Sequence, residues 1–146
     1  MQKVTHPAFH FQVQIEYWEE AFRKSSGSSR KAYCQTMVKE LDQDDTQFQK
    51  VRCAFLKTGI GLVLKSWKNW CVIVSDCDRP AFYRFQVFND SGMVAHCTRR
   101  TADAVLLEAF KAGFREVDNS NALHRLSRTP KWNPHQISQA MLSAST

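Results

Sequence analysis

Histidine and cysteine are the side chains in this sequence best suited to hold a metal. His6 and His10 are four residues apart, the separation of two zinc ligands on one helical face. No third ligand follows at a useful spacing, so we interpret both as residues at a helix end. A second candidate set, on neighbouring predicted strands, comprises Cys71, Cys77, His96 and Cys97. This set has no Cys-x-x-Cys pair, and consecutive strand residues point to opposite faces, which favours cysteines in the core over a zinc site.

Covalent or acid–base catalysis requires a reactive group beside a base. Cys34 or Cys97 could pair with His124, but no motif supports either pair. Asp76 and Asp78 lie in a pattern typical of a hairpin turn, not of an acid–base dyad. The sequence has no Gly-rich nucleophile elbow, no His-Glu-x-x-His motif and no phosphate-binding loop. We therefore predict no catalytic residue, no metal site and no cofactor.

Residues 65–70 interleave cationic and indole side chains in the sequence Lys-Ser-Trp-Lys-Asn-Trp. Aromatic faces beside cations can stack on nucleobases while the cations neutralise phosphates. Trp is also enriched at the centre of protein interfaces. In a third interpretation, one Trp lies in the core and the other shields a turn. The candidate partner-binding residues of this segment are Lys65, Trp67, Lys68 and Trp70.

Two adjacent arginines, Arg99 and Arg100, lie where the last predicted strand of the sheet meets a helix. A helix N-terminus disfavours cations, so helix stability does not explain them. Arginine forks clamp phosphates or acidic side chains, and solvated surface charge is the alternative. We predict that both add charged contacts to a partner. Exchanging both for Glu is expected to abolish binding while the fold survives.

The charge of the chain is positive and unevenly distributed. The net charge is +6, and no acidic residue occurs between Asp45 and Asp76, whereas five lysines and arginines do. This asymmetry suggests an anionic partner for the middle of the chain. A basic face that only provides solubility is the alternative.

The elements that position these residues begin with two helices. Pro7 suits a first helical turn, with Thr5 or His6 as its cap. Apolar residues at spacings of four, three and four then mark one helical face: Phe11, Ile15, Trp18 and Phe22. A polar turn at residues 25–29 leads to a second helix. We predict that this helix ends in an acidic loop at residues 42–45.

The middle of the chain has the pattern of an antiparallel sheet. Residues 51–55 alternate between apolar and polar side chains, the period of a half-buried strand. Residues 89–92, Asn-Asp-Ser-Gly, are typical of a hairpin connection, and tight turns between consecutive strands imply antiparallel pairing. Four more apolar runs are predicted strands: residues 60–64, 70–74, 82–88 and 93–98.

The last third of the chain is predicted to be helical. One predicted helix is capped by Thr101 and stopped by Gly113. A short helix then ends at Leu126, and a final helix begins at Asn133-Pro134. The fold class is therefore α+β. We predict a single antiparallel sheet of four or five strands, with helices from both chain ends packed mainly on one face. The other face is expected to stay open and to display much of the basic middle segment.

The size and composition are those of one globular domain. The 146 residues, 43% of them hydrophobic, are predicted to form a single domain over residues 1–146, with residues 143–146 disordered. An odd number of cysteines at irregular spacing favours reduced thiols in a cytoplasmic core over a disulfide framework. No signal peptide or bilayer-spanning run is visible. We therefore predict a cytoplasmic protein without a membrane partner.

Three short segments resemble parts of one known family. Residues 37–42, Met-Val-Lys-Glu-Leu-Asp, resemble the end of its early helix, and residues 87–92, Val-Phe-Asn-Asp-Ser-Gly, resemble its strand and hairpin. Arg99-Arg100, followed by Ala-Asp-Ala-Val at residues 102–105, is similar to its Arg-Arg pair before a helix. The family is that of the plasmid SOS-inhibition protein PsiB, and the resemblance covers residues 28–118. This chain departs from it in its basic charge and in residues 65–70, which have no counterpart.

The resemblance implies an α+β fold, no enzymatic activity and a protein partner, the recombinase RecA. Proteins of that family are encoded on conjugative plasmids and keep RecA from loading onto incoming single-stranded DNA, which mutes the SOS response. The implied mechanism is occlusion of the surface that RecA uses to nucleate on DNA or to polymerise.

We therefore expect a non-enzymatic modulator from a mobile genetic element that binds a DNA-acting protein, a RecA-like recombinase by resemblance. Its interface is expected around Trp67 and Trp70 and on the open sheet face. The first alternative is direct binding of nucleic acid through a basic and aromatic face, which would show as affinity that falls steeply with salt. The second is an enzyme with a site of scattered residues, which a perturbed cysteine or histidine in a pocket would reveal.

Overall fold

The computed structural model describes residues 6–128 of the chain. They belong to two compact units, residues 6–50 and residues 51–128. The predicted helix from Asn133-Pro134 and the predicted disorder of residues 143–146 lie outside the described residues. Within the described range, no helix is long and apolar enough to cross a membrane.

The first unit consists of two packed helices. The 3-10 turn Pro7–Phe9 leads into α1 (His10–Lys24), as predicted, and the first turn is capped by His6, whose Nδ1 accepts the Ala8 N–H at 3.1 Å. The two helices run antiparallel, because Phe11 near the start of α1 contacts Phe48. Towards the other end of α1, Trp18 contacts Tyr33. The predicted apolar stripe of α1 therefore packs against the second helix.

The second helix, α2 (Ser28–Thr58), is 31 residues long and continues well past its predicted end. It contains neither glycine nor proline. Within the first unit, its buried side chains recur every seven residues, or two helical turns, at Cys34, Leu41 and Phe48. One face of α2 is therefore apolar over the whole length that the first unit contains.

The acidic residues 42–45 lie in the middle of α2, so the predicted acidic loop is wrong. Asp42 is exposed, and Asp44 and Asp45 are partly exposed, so the charge reaches water without ending the helix. Local bonds support this segment, since Thr46 Oγ1 donates to the Asp42 carbonyl at 2.9 Å and Gln49 Nε2 donates to Asp45 Oδ1 at 3.1 Å. The negative charge therefore does not oppose the helix dipole at an end.

The predicted strand at residues 51–55 is also wrong, because these residues form the last turns of α2. Val51 and Phe55 are four residues apart, which fits a helical face as well as it fits one face of a strand. A helix and a strand differ in where they place the side chain of Cys53. A strand would bury Cys53 with Val51, but Val51 is 1% exposed and Cys53 is an exposed thiol.

The second unit contains a five-stranded antiparallel sheet in the order β4-β3-β2-β1-β5. This arrangement confirms the predicted α+β class. Four of the strands match predicted runs, with β1 starting later than expected, and the two-residue β5 was not predicted because it is too short to show a periodic pattern. The strands are β1 (Val63–Ser66), β2 (Asn69–Ser75), β3 (Tyr83–Asn89), β4 (Gly92–Arg99) and β5 (Glu116–Val117).

Helices cover parts of both faces of this sheet. The helix α3 (Ala102–Lys111) contacts β2, β3 and β4, and Phe114 beyond its end packs against Phe85 of β3. The short α4 (Ala122–Leu126) places Leu123 in a core cluster with Val72, Val74 and Phe88. Val72, Val74 and Phe88 lie on the face of the sheet opposite Phe85. The second face, which we expected to stay open, is therefore partly covered by α4.

The helix α3 begins and ends at the predicted residues. Thr101 caps it by accepting the Ala104 N–H at 3.1 Å. Gly113 follows the last turn with a φ of +103°, in the left-handed region. A side-chain Cβ at this position would lie 3.1 Å from Ser66 Oγ, so glycine is favoured by both its conformation and its close neighbour.

Candidate functional site

The turn between β1 and β2 presents one tryptophan to solvent. Ser66 pairs with Asn69, which leaves Trp67 and Lys68 as a two-residue hairpin loop. Trp67 has a φ of +53°, and its side chain is 84% exposed. Left-handed backbone is rare for a bulky residue, and hairpin turns normally place Gly, Asn or Asp there.

The two indoles of this segment have different environments. Trp70 of β2 is the register partner of Phe88 on β3 and of Lys65 on β1. The Nζ of Lys65 lies 5.7 Å from the Trp70 ring centroid. Trp70 is half-buried, and its buried Nε1 has no hydrogen-bond partner among the residues that the structure describes. Trp70 therefore packs within the sheet, whereas Trp67 does not shield the turn. We call Lys65, Trp67, Lys68 and Trp70 the hairpin tip.

The surroundings of the hairpin tip are of mixed charge. The β3–β4 turn lies at the same end of the sheet, where Asn89 Nδ2 donates to Asn69 Oδ1 at 3.2 Å. Asp90 of that turn is exposed, and Glu116 of β5 pairs directly with Lys65. Two acidic side chains thus accompany the two lysines.

The structure separates the six predicted binding residues into two groups. The hairpin tip lies where β2 begins, whereas Arg99 and Arg100 lie beyond the opposite end of the sheet, where β4 ends. The seven residues of β2 between these ends correspond to about 20 Å. Arg99 also has an acidic neighbour on α3, with its Nη2 3.9 Å from Glu108 Oε2.

Sequence reasoning missed two residues that accompany Arg100. The ring of Phe82 lies close to two guanidinium groups, with the Cζ of Arg79 at 5.4 Å and the Cζ of Arg100 at 5.6 Å from its centroid. Both distances are typical of cation–π contacts. We call Arg79, Phe82, Arg99 and Arg100 the arginine cluster. No sequence signal links the members, because the β2–β3 loop and the β4–α3 junction meet only in the folded sheet.

Asp76 fixes the loop that carries Arg79. Asp76 is only 5% exposed, and its Oδ1 accepts the backbone N–H groups of Asp78 at 2.9 Å and of Arg79 at 3.3 Å. Arg84 Nη2 lies 3.4 Å from the other oxygen. The Asp78 N–H bond, aided by the charge of Arg84, holds the pKa of Asp76 below its ordinary value.

Asp76, Cys77 and Asp78 bring their potential ligand atoms within 4.8 Å of one another. Both carboxylate oxygens of Asp76 are already engaged by backbone N–H groups and by Arg84. The arrangement is therefore explained by the turn that the sequence predicted at Asp76 and Asp78. The role of Asp76 is to hold the conformation of this loop.

Replacing Asp76 with Asn is expected to destabilise the second unit in a pH-dependent way. The folded-state pKa of Asp76 is lowered, so its charge contributes stability above its unfolded pKa of about 3.9. That contribution disappears as the pH falls through the folded pKa. Urea unfolding of the wild type and Asp76→Asn at pH 7, 5 and 3 should give a stability difference that shrinks at pH 3. A difference that does not change with pH would contradict the assignment.

The histidine and cysteine sets are spread over several environments. Cys34 and Cys71 are buried, as predicted for core thiols, and burial raises the pKa of Cys71 far above that of a reactive thiol. Cys53 and Cys77 are exposed, so the expectation of core cysteines is wrong for these two. His10 lies 2.9 Å from Gln14 Nε2, and with the capping role of His6 this confirms the helix-end interpretation.

No family model matches the chain, and neither the curated proteins nor the solved structures contain a match. Function is therefore inferred from the two ends of the sheet. One end presents an exposed indole on a strained turn, and the other presents guanidinium groups around a phenyl ring.

Proposed function

We propose that this chain is a non-enzymatic modulator that binds a protein acting on DNA, and that the hairpin tip forms the contact. The observation that carries the proposal is Trp67. A left-handed conformation costs a non-glycine residue about 1–2 kcal/mol. An indole that is 84% exposed buries little area to offset this cost. Conformational strain at an exposed site is typical of a residue retained for binding.

The composition around Trp67 supports a protein partner. Tryptophan is among the residues most enriched in the energetic centres of protein interfaces, and such centres are surrounded by polar rims of both charges. Lys65 and Lys68 together with Asp90 and Glu116 supply a rim of this kind. Surfaces that bind nucleic acid are much more uniformly positive. The alternative of direct nucleic-acid binding is therefore less well supported at the hairpin tip.

The resemblance of residues 28–118 to the PsiB family supports a RecA-like recombinase as the partner. By that resemblance the chain comes from a mobile element and acts in the cytoplasm. Inhibition would follow from occlusion, since a compact protein seated on RecA blocks its nucleation on single-stranded DNA. The basic charge of this chain would suit an acidic surface on the partner.

The proposal is tested by RecA-driven ATP hydrolysis on single-stranded DNA coated with its binding protein, with and without this chain. We expect strong inhibition at stoichiometric concentrations. Because Arg99 and Arg100 lie at the opposite end of the sheet from the hairpin tip, we no longer assign the arginine pair to this contact. The inhibition should therefore persist when Arg79 and Arg100 are both replaced by Gln. Absence of inhibition would refute RecA as the partner. Inhibition that disappears with the two arginines would instead indicate competition for the DNA.

A further inference from the structure

We propose that the arginine cluster binds the phosphodiester backbone of a nucleic acid. This site lies at the opposite end of the sheet from the hairpin tip and uses other residues. It therefore does not depend on the proposed protein partner. Arg79 and Arg100 place their guanidinium carbons 5.4 and 5.6 Å from the ring centroid of Phe82.

Neighbouring arginines have carboxylate partners that these two guanidinium groups do not have among residues 6–128. Arg52 bonds Asp103 at 2.8 Å and Arg84 lies 3.4 Å from Asp76. In the described part of the chain, neither Arg79 nor Arg100 has an ion pair with a carboxylate. Asp78, adjacent to Arg79, is exposed and uses its N–H to bond Asp76. Two like charges near one ring repel each other until an anion neutralises them.

The spacing of the two groups suits a polyanion. Each guanidinium carbon lies within 5.4 or 5.6 Å of the same ring centroid, so the two carbons are separated by about 11 Å or less. One strand of a nucleic acid carries a charge for about every 3.4 Å of its axis. Both arginines can therefore contact phosphates of the same strand, and the planar fork of each presents paired donors to phosphate oxygens.

The surroundings favour a phosphodiester over an acidic protein. Protein interfaces need an apolar centre, and the large exposed apolar side chains of the described residues do not include any from the 76–82 loop or from residues 99–101. Phe82 is half-buried, and cations lie over it. The exposed side chains here are mainly charged or small, which suits a polar backbone and not a hydrophobic anchor.

The site is tested by fluorescence anisotropy with a labelled single-stranded 20-mer and with the matching duplex, over a range of salt concentrations. Wild-type protein should bind, and log K should fall linearly with log salt. Arg79→Gln/Arg100→Gln should weaken binding at least about tenfold at low salt. It should also reduce the salt slope on the single strand by about 1.4, because two phosphate contacts are lost.

A matched control removes the same charge elsewhere. Arg30→Gln/Lys39→Gln, at two exposed positions of α2 outside the basic middle segment, also lowers the net charge by two and should keep both the affinity within about twofold and the salt slope. Equal losses in the two double variants would overturn the site, since they would indicate attraction by net charge alone. Failure of the wild type to bind either oligonucleotide would also overturn it. Binding of a poly-glutamate peptide without binding of oligonucleotides would assign the cluster to an acidic protein instead.

Discussion

Replacing Trp67 with glycine is expected to abolish partner binding and to stabilise the protein. The φ of +53° at this position is one that glycine adopts freely and that tryptophan adopts only with strain. Relief of that strain outweighs the extra flexibility of glycine in the unfolded chain, so we expect a gain of about 0.5–1 kcal/mol. On a chain of this size, the gain corresponds to a rise in Tm of roughly 1–4 °C.

The effect of the same substitution on binding should be large and opposite in sign. A tryptophan at the energetic centre of an interface contributes 2 kcal/mol or more, so the affinity for the partner should fall by about 30-fold or more. The measurements are thermal unfolding of the free variant and its titration against RecA by calorimetry. A gain in stability with a loss of affinity cannot be produced by misfolding.

Trp67→Phe is the control for this experiment. It keeps an aromatic side chain and the strained backbone, so its stability should be close to that of the wild type and its affinity should fall less. A Trp67→Gly variant that binds as well as the wild type would contradict the assignment of the hairpin tip. If Trp67→Gly instead lowered the free energy of unfolding by 1 kcal/mol or more, the indole would be needed for the stability of the fold.

The parts of the fold that could be predicted from sequence are those fixed by local chemistry. Pro7, Thr101 and Gly113 mark helix ends because each satisfies a requirement of its own backbone position. The Asn-Asp-Ser-Gly turn fixes the β3–β4 hairpin for the same reason, since Gly92 takes a φ of +109°. These signals are read within a few residues and do not depend on tertiary contacts.

The errors occurred where one local pattern fits two structures. Val51 and Phe55 satisfy both the period of a strand and that of a helix, and only the exposure of Cys53 distinguishes them. Residues 42–45 suggested a solvated loop after the second helix because three of the four are aspartates. The helix nevertheless continues through them, and the decisive feature was the seven-residue repeat of Cys34, Leu41 and Phe48.

The candidate sites were predictable in residue type but not in grouping. Trp67 and Arg100 were identified from composition, yet their placement at opposite ends of the sheet depends on the direction of each strand. The strain at Trp67 is a property of its turn conformation, which Ser-Trp-Lys-Asn does not reveal. Arg79 and Phe82 join Arg100 only through pairing of β3 with β4, so no sequence motif could have linked them.

The continuity of α2 leads to the second large prediction, which concerns Gln43→Pro. Gln43 is exposed and lies in the middle of the segment that resembled a loop. Proline there removes the N–H that bonds four residues back, and its ring clashes with the preceding turn. We expect a loss of about 3 kcal/mol, or a fall in Tm of roughly 6–12 °C.

Gln43→Ala separates the backbone effect from loss of the side chain. Alanine favours the helix at least as well as glutamine does, so this variant should be as stable as the wild type or slightly more stable. Urea unfolding followed by circular dichroism at 222 nm measures both variants. If residues 42–45 formed a flexible loop, proline would be tolerated there and the two variants would unfold together. A large difference between them requires an unbroken helix through the acidic segment.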